Sequence, residues 1–373
     1  MLINESAIKN KNDLFKRRKP LNYIAFLKFW AMIMIIKWHI IPWNKFKIDY
    51  GARMCEFLFV SSGFLVGYNY YQKPMPATYQ SSLKYTYKHL RSFYPLEFIN
   101  ILYFVFTYNK KFNLTDIEII IVNFFLLKAW GVKRKTVSSL NGVTWFLSAL
   151  MLCYFLTPFL LEGIKKINYS LILFTLVAII RLSVEEFVFR KAENILGANF
   201  HFGAVIRALE FFLGMLTVPL YFKIKSYVDK ASHLILIKIL FTVIQANFPI
   251  YIYYIMMKYN KILHRGHFVL IFCVNIFIIG FDYGYLSNLI ETKLFKIIMS
   301  CQMEMYMLQI SVPNIMLKIM RRKKWKYPPN LEIIFLIKLL VIFIISFIYK
   351  SLLKDRLANI MDKIVDFIFK LFN

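Results

Sequence analysis

The chain has 373 residues, of which 59% are hydrophobic, and its mean hydropathy of +0.54 is higher than a water-soluble domain of this length shows. Its formal net charge of +28 would suit a nucleic-acid-binding protein, but most Lys and Arg residues stand in short connectors between apolar runs. Such connectors are typical of membrane proteins that contact anionic headgroups, so we predict no nucleic-acid partner. The four cysteines stand singly without metal-ligand spacing, and we predict neither a metal site nor a disulfide framework.

Apolar runs long enough to cross a bilayer recur from one end of the chain to the other. Because only helices and closed barrels satisfy their backbone hydrogen bonds in lipid, these runs predict an all-α, polytopic membrane helix bundle. Two of the runs, 116–131 and 168–183, are short, so we predict about 10 (10–11) transmembrane helices. The eleven candidate spans are 22–43, 54–72, 92–108, 116–131, 144–163, 168–183, 203–222, 232–257, 266–282, 297–319 and 331–351.

The ends of the chain differ from the apolar region between them. Residues 1–20 are basic and show no signal-peptide cleavage site, which predicts a cytoplasmic tail and a cytoplasmic N-terminus. Residues 21–351 form the predicted transmembrane domain, and 352–373 form an amphipathic helix expected on the membrane surface. Heavy use of Lys, Ile and Asn is typical of an AT-rich bacterial genome, so we expect a bacterial plasma membrane.

The basic connectors predict which loops are cytoplasmic. Counting from the N-terminus places 73–91, 133–135, 258–265 and 321–326 inside, and 223–230 outside against the positive-inside rule. Ten spans would put the C-terminus inside and eleven would put it outside. We prefer ten, although the sequence does not indicate which candidate to drop.

The first span contains the stretch LKFWAMIMIIKWHI, with the titratable residues Lys28, Lys37 and His39. A charge at membrane depth costs about 2.5–3.5 kcal/mol, so each of these groups requires a role. Eleven helical steps put Lys28 and His39 on one face, about 16 Å apart along the axis. A lone histidine is often a packing residue, but the aligned lysine favours a functional site. Lys37 faces nearly the opposite way, and its role cannot be assigned from the sequence.

The second span carries Glu56 and Gly63 on one face, and Gly63 with Gly67 forms a small-xxx-small pair that lets another helix approach. Packing explains the glycines completely, but it does not explain the carboxylate of Glu56.

A basic stripe of Lys84, Lys88 and Arg91 precedes the third span at helical spacing. Such a stripe suits phosphate groups, although attraction to lipid headgroups explains it equally simply.

Three later spans carry polar or interfacial residues that would suit either an enzyme or a transporter. They are Trp145 and Ser148 in the fifth, Arg207 and Glu210 in the seventh, where the two can pair at i, i+3, and Glu304, Tyr306 and Gln309 in the tenth.

Taken in order, these stretches resemble the acyltransferase 3 family of integral-membrane acyltransferases. The matching motifs are Lys28 with His39, the stretch FLFVSSGFL at 57–65, Arg91 with Pro95, Trp145 to Ser148, Arg207 with Glu210, Phe211 and Gly214, and Tyr306 with Pro313. Lys28 replaces a residue that is more often Arg in the family, Gln309 replaces a His, and Lys37 has no usual counterpart.

The resemblance implies transfer of an acetyl group from cytoplasmic acetyl-CoA to a hydroxyl of a cell-surface or exported glycan, without a metal. It implies that Lys28, Lys88 and Arg91 bind the cofactor and that His39 is catalytic, either as the base for the hydroxyl or as the first acceptor of the acetyl group. Glu56 would orient His39, or pair with Lys37 or Arg53 instead. The remaining candidates, for substrate contact or structural support, are Ser62, Gly63, Trp145, Ser148, Arg207, Glu210, Glu304, Tyr306 and Gln309.

The alternative function is a polytopic glycan or lipid transporter that performs no acyl transfer. Transporters often show internal symmetry between their halves, which this sequence does not display.

Overall fold

Helices make up almost all of the regular structure in the described part of this chain. The computed structural model describes residues 19–372 except 42–49, 72, 74, 108–112, 132–133, 166, 192–201, 232–234, 260–264, 326–327 and 329. No strand occurs in these described ranges, so the predicted all-α class is confirmed. The predicted tail 1–20 lies outside them apart from its last two residues.

The helices are numbered here in chain order. The first eight are α1 (Asn22–Ile40), α2 (Tyr50–Tyr70), α3 (Tyr79–Leu90), α4 (Tyr94–Phe106), α5 (Leu114–Phe124), α6 (Arg134–Val137), α7 (Trp145–Gly163) and α8 (Ile167–Lys191). The others are α9 (Ala204–Leu216), α10 (Val218–Ala231), α11 (Ile235–Tyr259), α12 (Arg265–Ile279), α13 (Tyr285–Ile290), α14 (Lys293–Ser300), α15 (Gln302–Leu308), α16 (Ser311–Arg322), α17 (Leu331–Ile348) and α18 (Lys354–Phe372).

Several of these helices are long and apolar enough to cross a membrane. Within the described ranges there are five, namely Asn22–Ile40, Gly142–Gly163, Ala204–Lys230, Ile235–Tyr259 and Leu331–Phe367. Two shorter apolar helices are Tyr94–Phe106 and Gly266–Ile279. The expected membrane helix bundle is therefore confirmed, and the count of about 10 stays a prediction.

Helix α2 lies at the centre of the bundle, and residues 51–64 are all buried. It crosses α9 so closely that a Cβ atom on Gly63 would stand 1.7 Å from the carbonyl oxygen of Phe211. A Cβ atom on Gly214 would likewise stand 2.0 Å from the carbonyl oxygen of Val60. The crossing therefore needs glycine on both helices, as the small-residue pattern around Gly63 predicts.

Helices α1 and α2 are antiparallel and define the two ends of the bundle. Tyr68 donates a hydrogen bond to the carbonyl of Lys19 at 3.0 Å, and we call this end the N-terminal end. At the other end the rings of Trp38 and Tyr50 are 5.4 Å apart, and we call it the His39 end.

The segment 114–144 turns back partway along the bundle instead of crossing it. Helix α5 runs back along α4, because the hydroxyl of Tyr94 donates to the carbonyl of Phe124 at 2.7 Å. Thr144 then donates to Glu97 at 2.6 Å, so α7 begins beside the first turns of α4. Helix α7 runs to the N-terminal end, where Tyr71 donates to the carbonyl of Lys165 at 3.4 Å. The candidate span 116–131 is therefore not a separate crossing.

This turn changes the side on which the later connectors lie. The connector 223–230 lies at the N-terminal end, because Lys225 donates to the hydroxyl of Tyr283 at 2.8 Å. The neighbouring Asp282 accepts from the backbone N–H of Asn22 at 3.1 Å, at the first turn of α1. The expectation that 223–230 lies opposite the N-terminus is therefore wrong.

The sequence also predicts the wrong end of the bundle for the start of the connector 258–265. Helix α11 passes the start of α1, where the hydroxyl of Tyr23 donates to the carbonyl of Gln245. It then passes the middle of α2, where the rings of Phe57 and Phe248 are 6.4 Å apart. Its last turn, up to Tyr259, therefore lies at the His39 end, so the expectation that this connector shares a side with the N-terminus is wrong for its described start. Residues 260–264 of the connector lie outside the described residues.

The basic segment 321–326 leads to the His39 end as well. Helix α17 begins a few residues later, and its Glu332 pairs with Lys37 at 3.0 Å near the end of α1. The expectation that 321–326 shares a side with the N-terminus is therefore wrong. The cause of these errors is the segment 114–144, since counting 116–131 as a crossing reverses every later connector.

Helix α17 continues into α18 through a π-helical turn at Tyr349–Leu353. The predicted boundary at 351/352 falls inside this turn. The expected location of 352–373 on a membrane surface stays a prediction.

Candidate functional site

A cavity of about 250 Å³ lies among α1, α2, α7, α14, α15 and the first residue of α18. Its apolar walls are Met32, Leu58, Phe93, Phe146, Leu150, Met299 and Met303. Its polar lining is Lys28, Ser62, Tyr154, Ser300, Gln302, Glu304, Tyr306 and Lys354. Apolar walls with a few convergent polar groups are typical of small-molecule sites, so this cavity is the candidate site.

Lys28 reaches the cavity from the N-terminal half of α1 and is half-buried there. Its Nζ donates to the hydroxyl of Ser62 on α2 at 3.1 Å. Its backbone carbonyl accepts from the amide of Gln302 at 3.0 Å. The structure thus brings together the expected residues Lys28 and Ser62 and adds Gln302, which the sequence analysis missed.

Glu304 contributes a buried carboxylate to the same cavity. Its Oε1 accepts from Nζ of Lys354 at 2.6 Å, while its other oxygen has no hydrogen-bond partner among the described residues. The Lys354 ammonium also lies 4.6 Å from the centre of the Phe93 ring. The side chain of Glu304 is 1% exposed and that of Lys354 is 16% exposed, so the ammonium is the more accessible of the two charges.

Tyr306 of α15 and Gln309, the residue after this helix, are both buried. The hydroxyl of Tyr306 donates to the carbonyl of Val143 at 2.9 Å, and its ring packs 5.2 Å from that of Phe146. Tyr306 lines the cavity, whereas Gln309 does not. The amide of Gln309 has no hydrogen-bond partner among the described residues.

His39 lies at the opposite end of α1 from Lys28 and is exposed. The eleven residues between them correspond to about 16 Å along the helix axis. His39 is therefore not part of the cavity wall, and its predicted catalytic role stays a prediction. Lys37, which the sequence analysis left unassigned, pairs with Glu332 and lies 5.6 Å from the centre of the Phe335 ring.

Glu56 is fully buried and belongs to a cluster that we call the arginine–glutamate network. Its members are Arg53, Glu56, Arg181, Glu185, Arg207 and Glu210. Arg53 lies 3.5 Å from Glu56, which is one of the pairings that the sequence left open. The predicted pair of Arg207 with Glu210 is confirmed at 2.6 Å.

The network joins four helices. Arg181 of α8 contacts Glu210 of α9 at 3.0 Å and Glu185 of its own helix at 2.7 Å. Glu185 in turn accepts from the backbone N–H of Gly266 at the start of α12. Breaking one buried pair leaves an uncompensated charge, so the network is a strong constraint on helix placement.

The predicted basic stripe lies on α3 and the turn after it. Lys88 is exposed, and Arg91 is half-buried and pairs with Asp362 of α18. The hydroxyl of Tyr87 donates to the same carboxylate at 2.5 Å. Burial, followed by this hydrogen bond, raises the pKa of Tyr87 to about 12. Neither Lys88 nor Arg91 lines the cavity.

Trp145 and Ser148 support the fold around α7. The ring of Trp145 lies 5.1 Å from that of Phe202 and 5.8 Å from the guanidinium of Arg207. The hydroxyl of Ser148 accepts from the backbone N–H of Ala129 at 3.0 Å and thereby holds the segment before α7. Both residues lie outside the cavity.

Lys354 and Arg181 are functional-site and network residues that were not predicted from the sequence. Arg181 stands four residues before Glu185, so the spacing of an intrahelical pair was visible in a span that the sequence analysis treated as doubtful. The signal for Lys354 was the absence of Gly and Pro from residues 331 to 373, which predicts a helix that continues past the apolar run.

The comparisons with known proteins agree with the predicted resemblance. No curated protein and no solved structure matches this chain. The family whose profile does match is described as an acyltransferase domain, and the match covers residues 21–350. The chain therefore belongs to the acyltransferase 3 family, whose members are membrane acyltransferases.

Proposed function

We propose that this protein is an O-acetyltransferase of a bacterial plasma membrane, with its N-terminus in the cytoplasm. It takes the acetyl group from cytoplasmic acetyl-CoA and transfers it to a hydroxyl of a cell-surface or exported glycan. The observation that carries the proposal is the arrangement on α1, where Lys28 lines a cavity and His39 is exposed at the other end of the helix.

The donor side of the proposal rests on charge. Acetyl-CoA carries phosphates, and the cationic side chains of Lys28, Lys88 and Arg91 stand on the first half of α1, on α3 and in the turn after α3. Lys28 would bind the donor inside the cavity, and Lys88 and Arg91 would attract its phosphates from α3 and the turn after it. A cavity of about 250 Å³ is smaller than most ligand pockets, so it would hold a part of the donor.

The acceptor side rests on the exposure of His39. The acceptor hydroxyl loses its proton to the imidazole as its oxygen attacks the thioester carbonyl. The new C–O bond forms, the C–S bond breaks, and the thiolate of coenzyme A leaves and takes up the proton from the imidazolium. In the second route, the imidazole nitrogen attacks the thioester carbonyl, the C–S bond breaks, and the thiolate leaves with the proton that the ring gives up. The hydroxyl oxygen then attacks the acetyl carbon, the C–N bond breaks, and the hydroxyl proton returns to the imidazole. Both routes require His39.

The proposal is tested by labelled acetyl transfer to the surface glycan in cells that produce the His39→Ala variant at the wild-type level. We expect acetylation to fall to the background of cells that lack the protein. The matched control is His267→Ala, because His267 is also exposed and lies beside Phe268, which contacts Arg53 at the His39 end.

Unchanged acetylation in the His39→Ala cells would remove the catalytic role of His39. If surface glycan itself decreases while its remaining chains keep their acetyl groups, the transporter alternative gains support instead.

A further inference from the structure

Lys354 stands outside the part of the chain that matches the family and yet lines the cavity. The match ends at residue 350, and α18 begins four residues later. Because α17 runs through its π-helical turn without a break, the first residue of α18 still faces the bundle. The cavity thus contains a cation that the family domain does not itself supply.

The charged side chains that line the cavity do not sum to zero. Its described wall contains two ammonium groups, Lys28 and Lys354, and one carboxylate, Glu304. Lys28 hydrogen-bonds to a neutral hydroxyl, whereas Lys354 pairs with Glu304 at 2.6 Å. The lining therefore has an excess positive charge, which suits an anionic ligand group.

We propose that Lys354 is a binding residue for a phosphate group of the acyl donor, and that Glu304 holds its ammonium in place while the donor is absent. The inference rests on the proposed function, since it names the part of acetyl-CoA that this cavity wall contacts. Lysine binds phosphate as a point charge on a flexible four-carbon stem, and the ammonium of Lys354 is more exposed than the carboxylate that it pairs with.

Glu304 does not become an isolated charge when Lys354 turns to the donor. Lys350 lies one turn earlier, donates to the carbonyl of Ser300 at 2.6 Å and interacts electrostatically with Glu304. The carboxylate thus keeps a cationic neighbour. If the pair were purely structural, changing either Lys354 or Glu304 would lower the stability of the protein. This expectation separates a structural role of the pair from a role of Lys354 in binding.

The test measures the affinity of the purified protein in lipid nanodiscs for two donors. Acetyl-CoA carries the phosphates, and S-acetylpantetheine carries the same thioester without them. For Lys354→Gln we expect affinity for acetyl-CoA to fall about tenfold, with little change for S-acetylpantetheine. For Glu304→Gln we expect tighter binding of acetyl-CoA, because Lys354 is then free. The control is Lys363→Gln, an exposed lysine on the same helix.

The double variant Lys354→Gln with Glu304→Gln guards against misfolding, because it removes both charges of the ion pair together. It should still lose affinity for acetyl-CoA about tenfold relative to Glu304→Gln alone. Equal affinities of these two variants, or an equal loss for both donors, would overturn the role of Lys354. If the wild-type protein binds neither donor, the proposed function fails as well, so the two failures are distinguishable.

Discussion

Gly63 of α2 and Gly214 of α9 face each other where the two helices cross, and each leaves room for a backbone carbonyl of the other helix. A Cβ atom on Gly63 would lie 1.7 Å from the carbonyl oxygen of Phe211, and one on Gly214 would lie 2.0 Å from that of Val60. Both distances are shorter than any non-bonded contact. Because the obstructing atoms belong to the backbone, no side-chain rotation can relieve the clash. The crossing holds α2 against α9, and α2 carries both Ser62 of the cavity and Glu56 of the network.

We therefore predict that Gly63→Ala and Gly214→Ala each lower the stability of the folded protein by about 1–3 kcal/mol or more, because the helices must move apart. Thermal unfolding in detergent measures this as a lower Tm. Gly131→Ala is the matched control, since a Cβ atom there meets nothing within 4 Å. An unchanged Tm for both Gly63→Ala and Gly214→Ala would show that the backbones of α2 and α9 are farther apart at the crossing than in this structure.

A second prediction concerns Glu210, which is the hub of the arginine–glutamate network. Its two oxygens accept from Arg181 at 3.0 Å and from Arg207 at 2.6 Å, and all three side chains are buried. Glu210→Gln leaves two guanidinium groups without this carboxylate, and we expect a loss of about 3–5 kcal/mol in the free energy of unfolding.

The comparison for Glu210 is Lys37→Gln. The pair of Lys37 with Glu332 is partly exposed, at 27% and 61%, so its removal should cost less than about 1 kcal/mol. Chemical denaturation of both variants in the same detergent gives the difference. Equal losses in the free energy of unfolding for the two variants would contradict the prediction that the buried network stabilises the fold more than the exposed pair does.

The residues that the sequence could pair are those on one helix. Arg207 and Glu210 stand three residues apart, so helical geometry alone predicts their contact. Lys37 with Glu332, and Lys354 with Glu304, join helices that are far apart in the chain. No period along the sequence encodes such contacts, because they depend on which helices become neighbours.

The class of fold could also be predicted, because hydropathy alone marks apolar helices. The path of the chain could not. The run 116–131 is apolar like a span, but its helix turns back beside α4, and hydropathy cannot distinguish a short returning helix from a crossing. The positions of the basic connectors could not correct this error in the path of the chain, since Lys and Arg stand at both ends of the bundle.

A third prediction concerns Arg91, whose guanidinium pairs with Asp362 on α18. If Arg91 attracts the phosphates of acetyl-CoA, Asp362 competes with them for the same group. Arg91→Ala should weaken the binding of acetyl-CoA, and Asp362→Asn should strengthen it by about two- to fivefold, the range of a partly exposed pair.

The opposite signs expected for Arg91→Ala and Asp362→Asn are measured by titrating each variant with acetyl-CoA in nanodiscs. Arg356→Ala serves as the control, because Arg356 is exposed on the same helix as Asp362. A loss of affinity in both variants would indicate that the pair only holds α18 in place.

The last prediction concerns the pH dependence of stability and His89 of α3. Its imidazole packs 4.1 Å from the ring of Tyr85 and 4.9 Å from that of Tyr154, and burial lowers its pKa below the ordinary 6.5. The folded protein therefore favours the neutral ring, and the unfolded chain takes up a proton first as the pH falls. The stabilisation is complete above about pH 6.5 and is lost as the pH falls from there towards the lower pKa of the folded state.

We accordingly expect the Tm of the wild-type protein to fall between pH 7 and pH 5 more steeply than that of His89→Gln, which cannot take up the proton. His267→Gln, which changes an exposed histidine, should keep the wild-type slope. Thermal unfolding at several pH values in one detergent and at constant ionic strength measures the three slopes. Parallel curves for wild type and His89→Gln would contradict a neutral His89 in the folded protein, because the protons taken up on unfolding would then bind to other groups.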